Sequence, residues 1–498
     1  MCTTASKTSV VWFRKCLRLH DNRALVEAIR VSNFVIPLVV IDPFLVHPSR
    51  CGARPLQFFL ESLHDLDRSL RRLNSRLVVL TGDPVHVIPH YAQLWNVSTI
   101  FHESDTGRYG SVRDANVASA LAATSIQLRS FHGHTLYSID DVRAAYGADI
   151  PQSYQEFRNR VAQVEIEEPL PSPDALPPVP PSLQDFNASI PSLRDLGFDE
   201  EVKPTALLGG ESHALARMSS ILADEEAIRT YSKPKTSPLD FDPPSGTCFF
   251  PYLARGCLSV RLVRSKVIDI LSRGPKQTKP PQSLLGQLLC REFYYACSYL
   301  TTNFYDMPGN PMCKQVEWRQ DHAADVYFQA WAEYKTGFPW IDAVMNQLKT
   351  EGWIHNHARN AVACFLTKGD LWVDWRRGRD LFEKYLIDSD SALNNGGWLW
   401  HSGSGYVPKN FIPPNPASYA KKFRKDDGAF IRRYVPALEK MPTEFIFEPW
   451  LAPLDVQREA GCVVGVDYPE RIVNHEVESK VLLERMAQFY PDTKTTTE

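Results

Sequence analysis

Short apolar runs alternate with amphipathic stretches over the first 135 residues. "SVVWF" (9–13), "FVIPLVVI" (34–41), "RLVVLTG" (76–82) and "VSTIFHES" (97–104) are short and rich in β-branched residues, and they predict buried strands. Between them "LVEAIR" and "LQFFLESLHDLDRSLRRL" predict helices, the second with Leu and Phe recurring at helical spacing. Strand–helix alternation predicts an α/β domain over 1–135, with a parallel sheet covered on both faces. No GxGxxG follows the first strand, so a dinucleotide site of the usual type is not expected there. Residues 136–210 read as a linker, Pro-rich in part: "PLPSPDALPPVPPS" (169–182) holds seven prolines in fourteen residues. Helical periodicity resumes at "ESHALARMSSILADEEAIRTY" (211–231) and then dominates, which predicts a mostly α-helical domain over 211–490 and a short tail over 491–498.

Composition narrows the class without naming a function. At 498 residues the chain is too long for one small core, and 44% apolar with 23% charged residues is ordinary for a globular protein. The net charge of −3 makes it no polycation, so nucleic-acid binding requires a local basic patch. Ten scattered cysteines with no CxxC pair predict reduced thiols, no metal site and a nuclear or cytoplasmic location. No apolar run reaches the roughly 20 residues of a membrane span. "KKFRK" (421–425) reads as a solvated basic patch.

Candidate chemistry concentrates in the second half. In "GWIHNHARNAVACFLTKGDLWVDW" (352–375), helical spacing puts Asn356 and Asn360 on one face, and likewise His355 with Arg359. Amides on one face suit a ligand with alternating donors and acceptors, or they satisfy buried backbone. His355 and His357, two apart, would point to different sides of that helix, which argues against a metal pair. "LIDSDSALNNGGWLW" (386–400) crowds Asp388 and Asp390 with amides, glycines and indoles, although Asp, Asn and Gly favour turns and caps over helix. Arg291 and Arg359 are the cations expected to pair with those acids in a rigid pocket. Trp318, Trp372, Trp375, Trp398 and Trp400 form a dense series. Trp372 and Trp375, three apart, are expected on one helical face. Indoles usually pack cores, but indole is also readily oxidised, so a buried series leading to the surface can carry electrons.

Nearly the whole chain resembles the photolyase/cryptochrome family. The resemblance rests on "VVWFRKCLRLHDNRAL" (10–25), "KPKTSP" (233–238), "ARGCLSVR" (254–261), "LLCREFYY" (288–295), "KTGFPWIDAVMNQLKTEGWIH" (335–355), "DLWVDW" (370–375), "DSDSALNNGGWLW" (388–400), "FEPW" (447–450) and "GVDYPERIVNH" (465–475). It is greatest to the animal cryptochrome/(6-4) photolyase branch. It implies an N-terminal α/β domain, a linker and a helical domain that holds FAD folded into a U. It places Tyr231, Thr247 and Arg291 near the diphosphate, and Trp353 and Asn356 along the cavity. It pairs Arg359 with Asp388, sets Asp388 and Asp390 at the ribitol and isoalloxazine edge, and puts Asn394 opposite flavin N5. Gly396 and Gly397 would let the backbone come close. The implied electron relay runs Trp398, Trp375, Trp318, Trp372.

The implied substrate side comprises Gln287, Cys290, Asn356, Asn360 and Trp400; Gln287 matches the (6-4) branch, but Cys290, Asn356 and Asn360 depart from it. (6-4) photolyases carry histidines at the positions aligned with Asn356 and Asn360, and an amide does not titrate near neutral pH. Cys290 replaces a tryptophan that stacks on the flipped lesion, a platform worth on the order of 1–3 kcal/mol per base. His357 and Ile412 replace basic residues that grip DNA phosphates, and Phe250 replaces a hydroxyl near the diphosphate. The resemblance therefore implies a blue-light-responsive cryptochrome-like flavoprotein with weakened DNA binding and a protein signalling partner. A DNA photolyase, a carbon–carbon lyase acting on UV-induced pyrimidine lesions, is the first alternative. A light-driven or redox enzyme on a small molecule is the second. An antenna chromophore in the first domain is compatible with the resemblance, but no residue identifies it.

Overall fold

The computed structural model describes residues 7–489 apart from 106, 185, 187–188, 233–235, 241–243, 245, 276, 406–414 and 418–426. Part of the 233–238 motif, Ile412, the basic run 421–425 and the tail 491–498 lie outside the described residues.

The chain forms two compact units: residues 1–235, 247–300 and 387–392 make the first, and 236–246, 301–386 and 393–498 the second. The division therefore follows no single cut near residue 136 or 211. In the first unit the four expected strands are β1 (Thr8–Phe13), β2 (Phe34–Ile41), β3 (Val78–Thr81) and β4 (Thr99–Glu103). A fifth, β5 (Gln127–Phe131), was not expected. Its side chains are exposed or half-buried, and it pairs only with β4 at the sheet edge, so no apolar run marks it. All pairings are parallel in the order β3-β2-β1-β4-β5. Val10, Trp12, Ile36, Leu38, Ile100, Val117 and Leu121 build one core cluster against this sheet. The strand order reverses between β1 and β4, the switch point where α/β sheets open a crevice at their strand ends. Arg14 and Lys15 leave β1 there.

Helix Ala53–Arg72 buries Leu56, Leu60, Leu63, Leu66 and Leu70 along one stripe, as its pattern predicted. The supposed linker contains structure of its own. Helices Ile139–Tyr146 and Tyr154–Arg160 start at Ser138 and Ser153, whose hydroxyls accept from the third residue beyond.

The second unit is helical. Asp321 caps helix His322–Ala332, Pro339 opens helix Pro339–Glu351, and Asp374 caps helix Trp375–Tyr385. Helix Asn356–Cys364 runs on into a buried π-helical turn, Phe365–Gly369. Helix Ser391–Ser402 forms despite Asn394, Asn395, Gly396 and Gly397. Tertiary contacts override the weak propensity: Asn394 donates to the Arg379 carbonyl at 2.9 Å, and Asn395 to that of Phe304 at 2.7 Å.

Candidate functional site

In the first unit the acidic motif is built into a cage of charge. Asp390 is buried, and its Oδ1 accepts from the Ala392 backbone at 3.1 Å, capping the start of the following helix. Its Oδ2 takes the Tyr295 hydroxyl at 2.5 Å and lies 3.8 Å from Lys15 Nζ and 3.6 Å from His134 Nε2. Lys15 also reaches Asp105, just past β4, at 3.4 Å. Burial pushes the Asp390 carboxyl up, but Lys15, His134 and Arg291 outweigh it and hold it well below the usual carboxylate range. Burial also lowers His134 to about 4 and lifts the Tyr295 phenol well above its ordinary value. Lys15 is held by its backbone: a Cβ on Gly256, whose φ is +66°, would lie 1.8 Å from the Lys15 carbonyl oxygen.

Arg291 does not pair directly with Asp390. Its guanidinium donates to Glu292 at 2.9 Å and to the His134 carbonyl at 2.9 Å, and lies 4.7 Å over the Tyr295 ring. It supports Asp390 through Tyr295 and His134. Lys15, His134 and Tyr295 are the residues the sequence reading missed. Tyr295 sits four residues after Arg291, on the same face of helix Leu284–Leu300, a signal the sequence did contain. Gln287 and Cys290 lie half-buried on this helix, and the Gln287 amide donates to the Pro281 carbonyl at 2.8 Å. Tyr231 and Thr247 are half-buried, and the Thr247 carbonyl accepts from Arg217 at 2.6 Å.

In the second unit the four relay candidates Trp318, Trp372, Trp375 and Trp398 are all buried. Trp318 and Trp372 touch, with ring centroids 4.9 Å apart. Trp398 packs edge-on against Phe382 at 5.0 Å and fills the space that a Cβ on Gly378 would enter. The expectation that Trp372 and Trp375 share a helical face fails. Trp375 begins its helix, whereas Trp372 precedes it with φ +57°, a left-handed conformation costing a bulky residue about 1–3 kcal/mol. Three bonds hold Trp372 there: its amide to the Thr367 carbonyl (2.9 Å), its carbonyl to the Arg319 amide (3.0 Å) and its Nε1 to the Glu317 carbonyl (2.8 Å). By contrast, the buried Nε1–H groups of Trp318, Trp375 and Trp398 find no acceptor among the described residues.

Asn356 and Asn360 do share helix Asn356–Cys364, with Asn356 exposed and Asn360 half-buried. The Asn360 carbonyl oxygen lies 2.8 Å from His401 Nδ1. His401 is a titratable neighbour the sequence reading overlooked. His355 is not part of that helix but its cap. Its Nδ1 accepts from the His357 amide at 3.1 Å, which leaves Nε2 as the donor to Thr236 Oγ1 at 2.9 Å. Its ring stacks on His357 at 5.3 Å, so these two rings lie together instead of diverging. Trp353 meets His355 edge-on, Arg359 Nε donates to the Ile354 carbonyl at 3.0 Å, and Trp400 is 44% exposed. Among the described residues no group of three or more His, Cys, Asp or Glu is placed to hold a metal ion, and no helix is long and apolar enough to cross a membrane.

The helix carrying Asn394 suits a large planar cofactor. A Cβ on Gly397 would meet no heavy atom within 4 Å, so at that point the helix leaves its backbone uncovered by side chains. Asn394 lies one turn before it, tied to Arg379.

Comparison with known proteins agrees with that fit. A family profile described as the FAD binding domain of DNA photolyase matches residues 284–488, and one described as DNA photolyase matches residues 9–175. The chain is 42% identical over 495 residues to the (6-4)DNA photolyase of Arabidopsis thaliana, covering 97% of this chain and 88% of that one. It is 39% identical over 490 residues to Cryptochrome-1 of Erithacus rubecula, covering 97% and 78%. Among solved structures, the cryptochrome of Synechocystis superposes with a TM-score of 0.82 at 26% identity, over 97% of this chain and 100% of that one. A class III photolyase of Agrobacterium tumefaciens gives 0.78 at 27% identity, over 99% and 100%. Matched in both halves by sequence and along its length by fold, the chain belongs to the photolyase/cryptochrome family and carries that family's FAD-binding domain.

Proposed function

We propose that this protein is a blue-light-responsive flavoprotein of cryptochrome type, in which electrons pass inward to FAD along Trp372, Trp318, Trp375 and Trp398. FAD, when bound, supplies light absorption and one-electron chemistry. The chain supplies placement. By the resemblance, Arg359, Asp388, Asp390 and Asn394 would hold the flavin, and Tyr231, Thr247 and Arg291 its diphosphate. Trp353 and Asn356 line the cavity. Because three of the relay indoles have no acceptor for their N–H among the described residues, an electron leaves each of them without a proton having to move. The 4.9 Å contact of Trp318 with Trp372 carries the reading, and the amides at Asn356 and Asn360 argue against the family's repair chemistry. The test is anaerobic blue-light reduction of protein-bound FAD, compared between the wild type and Trp398→Phe. An unaltered rate in the variant would sink the relay.

Repair of DNA is the second reading. It is favoured by His401 at 2.8 Å from Asn360, a titratable ring beside an amide that cannot titrate. The 42% identity to a (6-4)DNA photolyase points the same way. Illuminating the reduced protein with oligonucleotides bearing a cyclobutane dimer or a (6-4) product decides it, since restored bases would make this an enzyme. Nuclear or cytoplasmic location and a protein signalling partner belong to the first reading.

A further inference from the structure

Trp372, the outer end of the proposed relay, opens onto a cleft of about 460 Å³ in the second unit, lined also by Glu317, Arg319, Asp321, Arg485 and Gln488. That volume lies within the range of small-molecule pockets. Its chemistry is mixed in a specific way. The Arg485 guanidinium lies 5.8 Å from the Trp372 ring centroid, and no carboxylate among the described residues pairs with it. Arg319 contributes a second guanidinium, whose Nε lies 3.9 Å from the exposed Asp321 carboxylate, a weak surface pair. The carboxylates of Glu317 and Asp321 and the Gln488 amide are acceptors for hydroxyl groups. Trp372 is 3% exposed and held in a left-handed conformation by bonds to Glu317 and Arg319, two residues of the cleft itself. Strained backbone of this kind at a bulky residue marks a position that the surrounding structure over-determines.

We infer that this cleft binds a small, singly charged, polyhydroxylated reductant of the enediolate class, which re-reduces Trp372. The inference rests on the relay proposed above. Two guanidiniums take the oxyanion, while the acceptors take the hydroxyls. Arg485 so close to the indole disfavours positive charge on it, and a bound anion offsets that charge, so ligand and oxidised Trp372 favour one another. The step is a one-electron transfer. Trp372, having given one electron inward, takes one from the monoanionic enediolate. An O–H bond of the donor breaks, its proton passes to water, and the products are neutral indole and the donor's radical anion.

Ascorbate is the probe, used with the full chain. In dark titrations followed by saturation-transfer NMR, the wild type is expected to bind ascorbate saturably. Arg485→Glu is expected to weaken binding by about tenfold or more, the scale of one lost charge-assisted contact, and Arg319→Gln by less. After a laser flash, decay of the tryptophanyl radical is expected to rise hyperbolically with ascorbate in the wild type. In Arg485→Glu the ratio of its rate with ascorbate to its rate with the neutral phenol N-acetyl-tyrosinamide is expected to fall by a similar factor. Equal ascorbate binding in wild type and Arg485→Glu overturns the inference, as does an unchanged rate ratio. A wild type that forms no tryptophanyl radical defeats the relay instead, and the dark titration still decides the site.

Discussion

Two buried polar sites, one in each unit, are built in opposite ways. In the first, Asp390 is surrounded by Lys15, His134 and the Tyr295 hydroxyl, so its charge is retained and both its oxygens are engaged. In the second, three indole N–H groups are buried with no acceptor among the described residues, each at a cost of about 1–3 kcal/mol. The same unit buries Asp342 among neutral donors: Thr336 at 2.8 and 2.7 Å, Gly337 at 3.2 Å and the Tyr468 hydroxyl at 2.6 Å. With no cation beside it among the described residues, burial wins and pushes Asp342 up to about 6. Paired charge fixes position. Neutral, unpaired surroundings instead leave groups free to lose an electron or gain a proton.

The most severe way to break this contrast is Trp398→Phe, which is expected to abolish nearly all light-driven flavin reduction while FAD stays bound, as read by anaerobic absorption spectra. Next is Asp390→Asn, which leaves the cations of the cage without their shared anion. Urea unfolding should show a loss of about 3–5 kcal/mol, the scale of a broken buried ion pair. A loss below about 1 kcal/mol would mean that Lys15 and Asp105 suffice without it.

Asp342 gives the opposite pH signature. Its folded value of about 6 exceeds its ordinary 3.8, so between the two the folded chain holds a proton that the unfolded chain has released. Its contribution is therefore complete below about pH 4 and lost as pH rises through about 6, a span of roughly 3 kcal/mol. Asp390, held below its ordinary value, loses its contribution only in stronger acid. Stability profiles of wild type and Asp342→Asn should therefore differ in slope between about pH 4 and 6. Parallel profiles would refute the assignment.

The smallest effect separates two indoles. Trp375→Phe removes an N–H with no acceptor among the described residues, whereas Trp372→Phe also strands the Glu317 carbonyl. Thermal unfolding should place the second variant about 1 kcal/mol below the first.

Much of this was legible in the chain. Four strands, the edge strand β3 among them, announce themselves because nearly all their side chains are buried. β5 does not, being a polar edge with a single neighbour. The acidic motif and the tryptophans stood out by composition, but the partners of Asp390 did not, since Tyr295 lies 95 positions away and Lys15 just after the first strand. Contacts of that separation leave no periodicity to read. Trp372 misled for another reason. Spacing of three implies a shared face only inside a regular helix, and the π-helical turn at Phe365–Gly369 comes first.

That turn also limits how the segment can change. Each residue of a regular helix advances the chain by about 100°. Deleting one position from the π-helical turn Phe365–Gly369 would change the rotation of everything after it and is expected to part Trp372 from Trp318, even if every remaining side chain were kept. For this stretch the number of residues constrains the fold more strictly than their identities do.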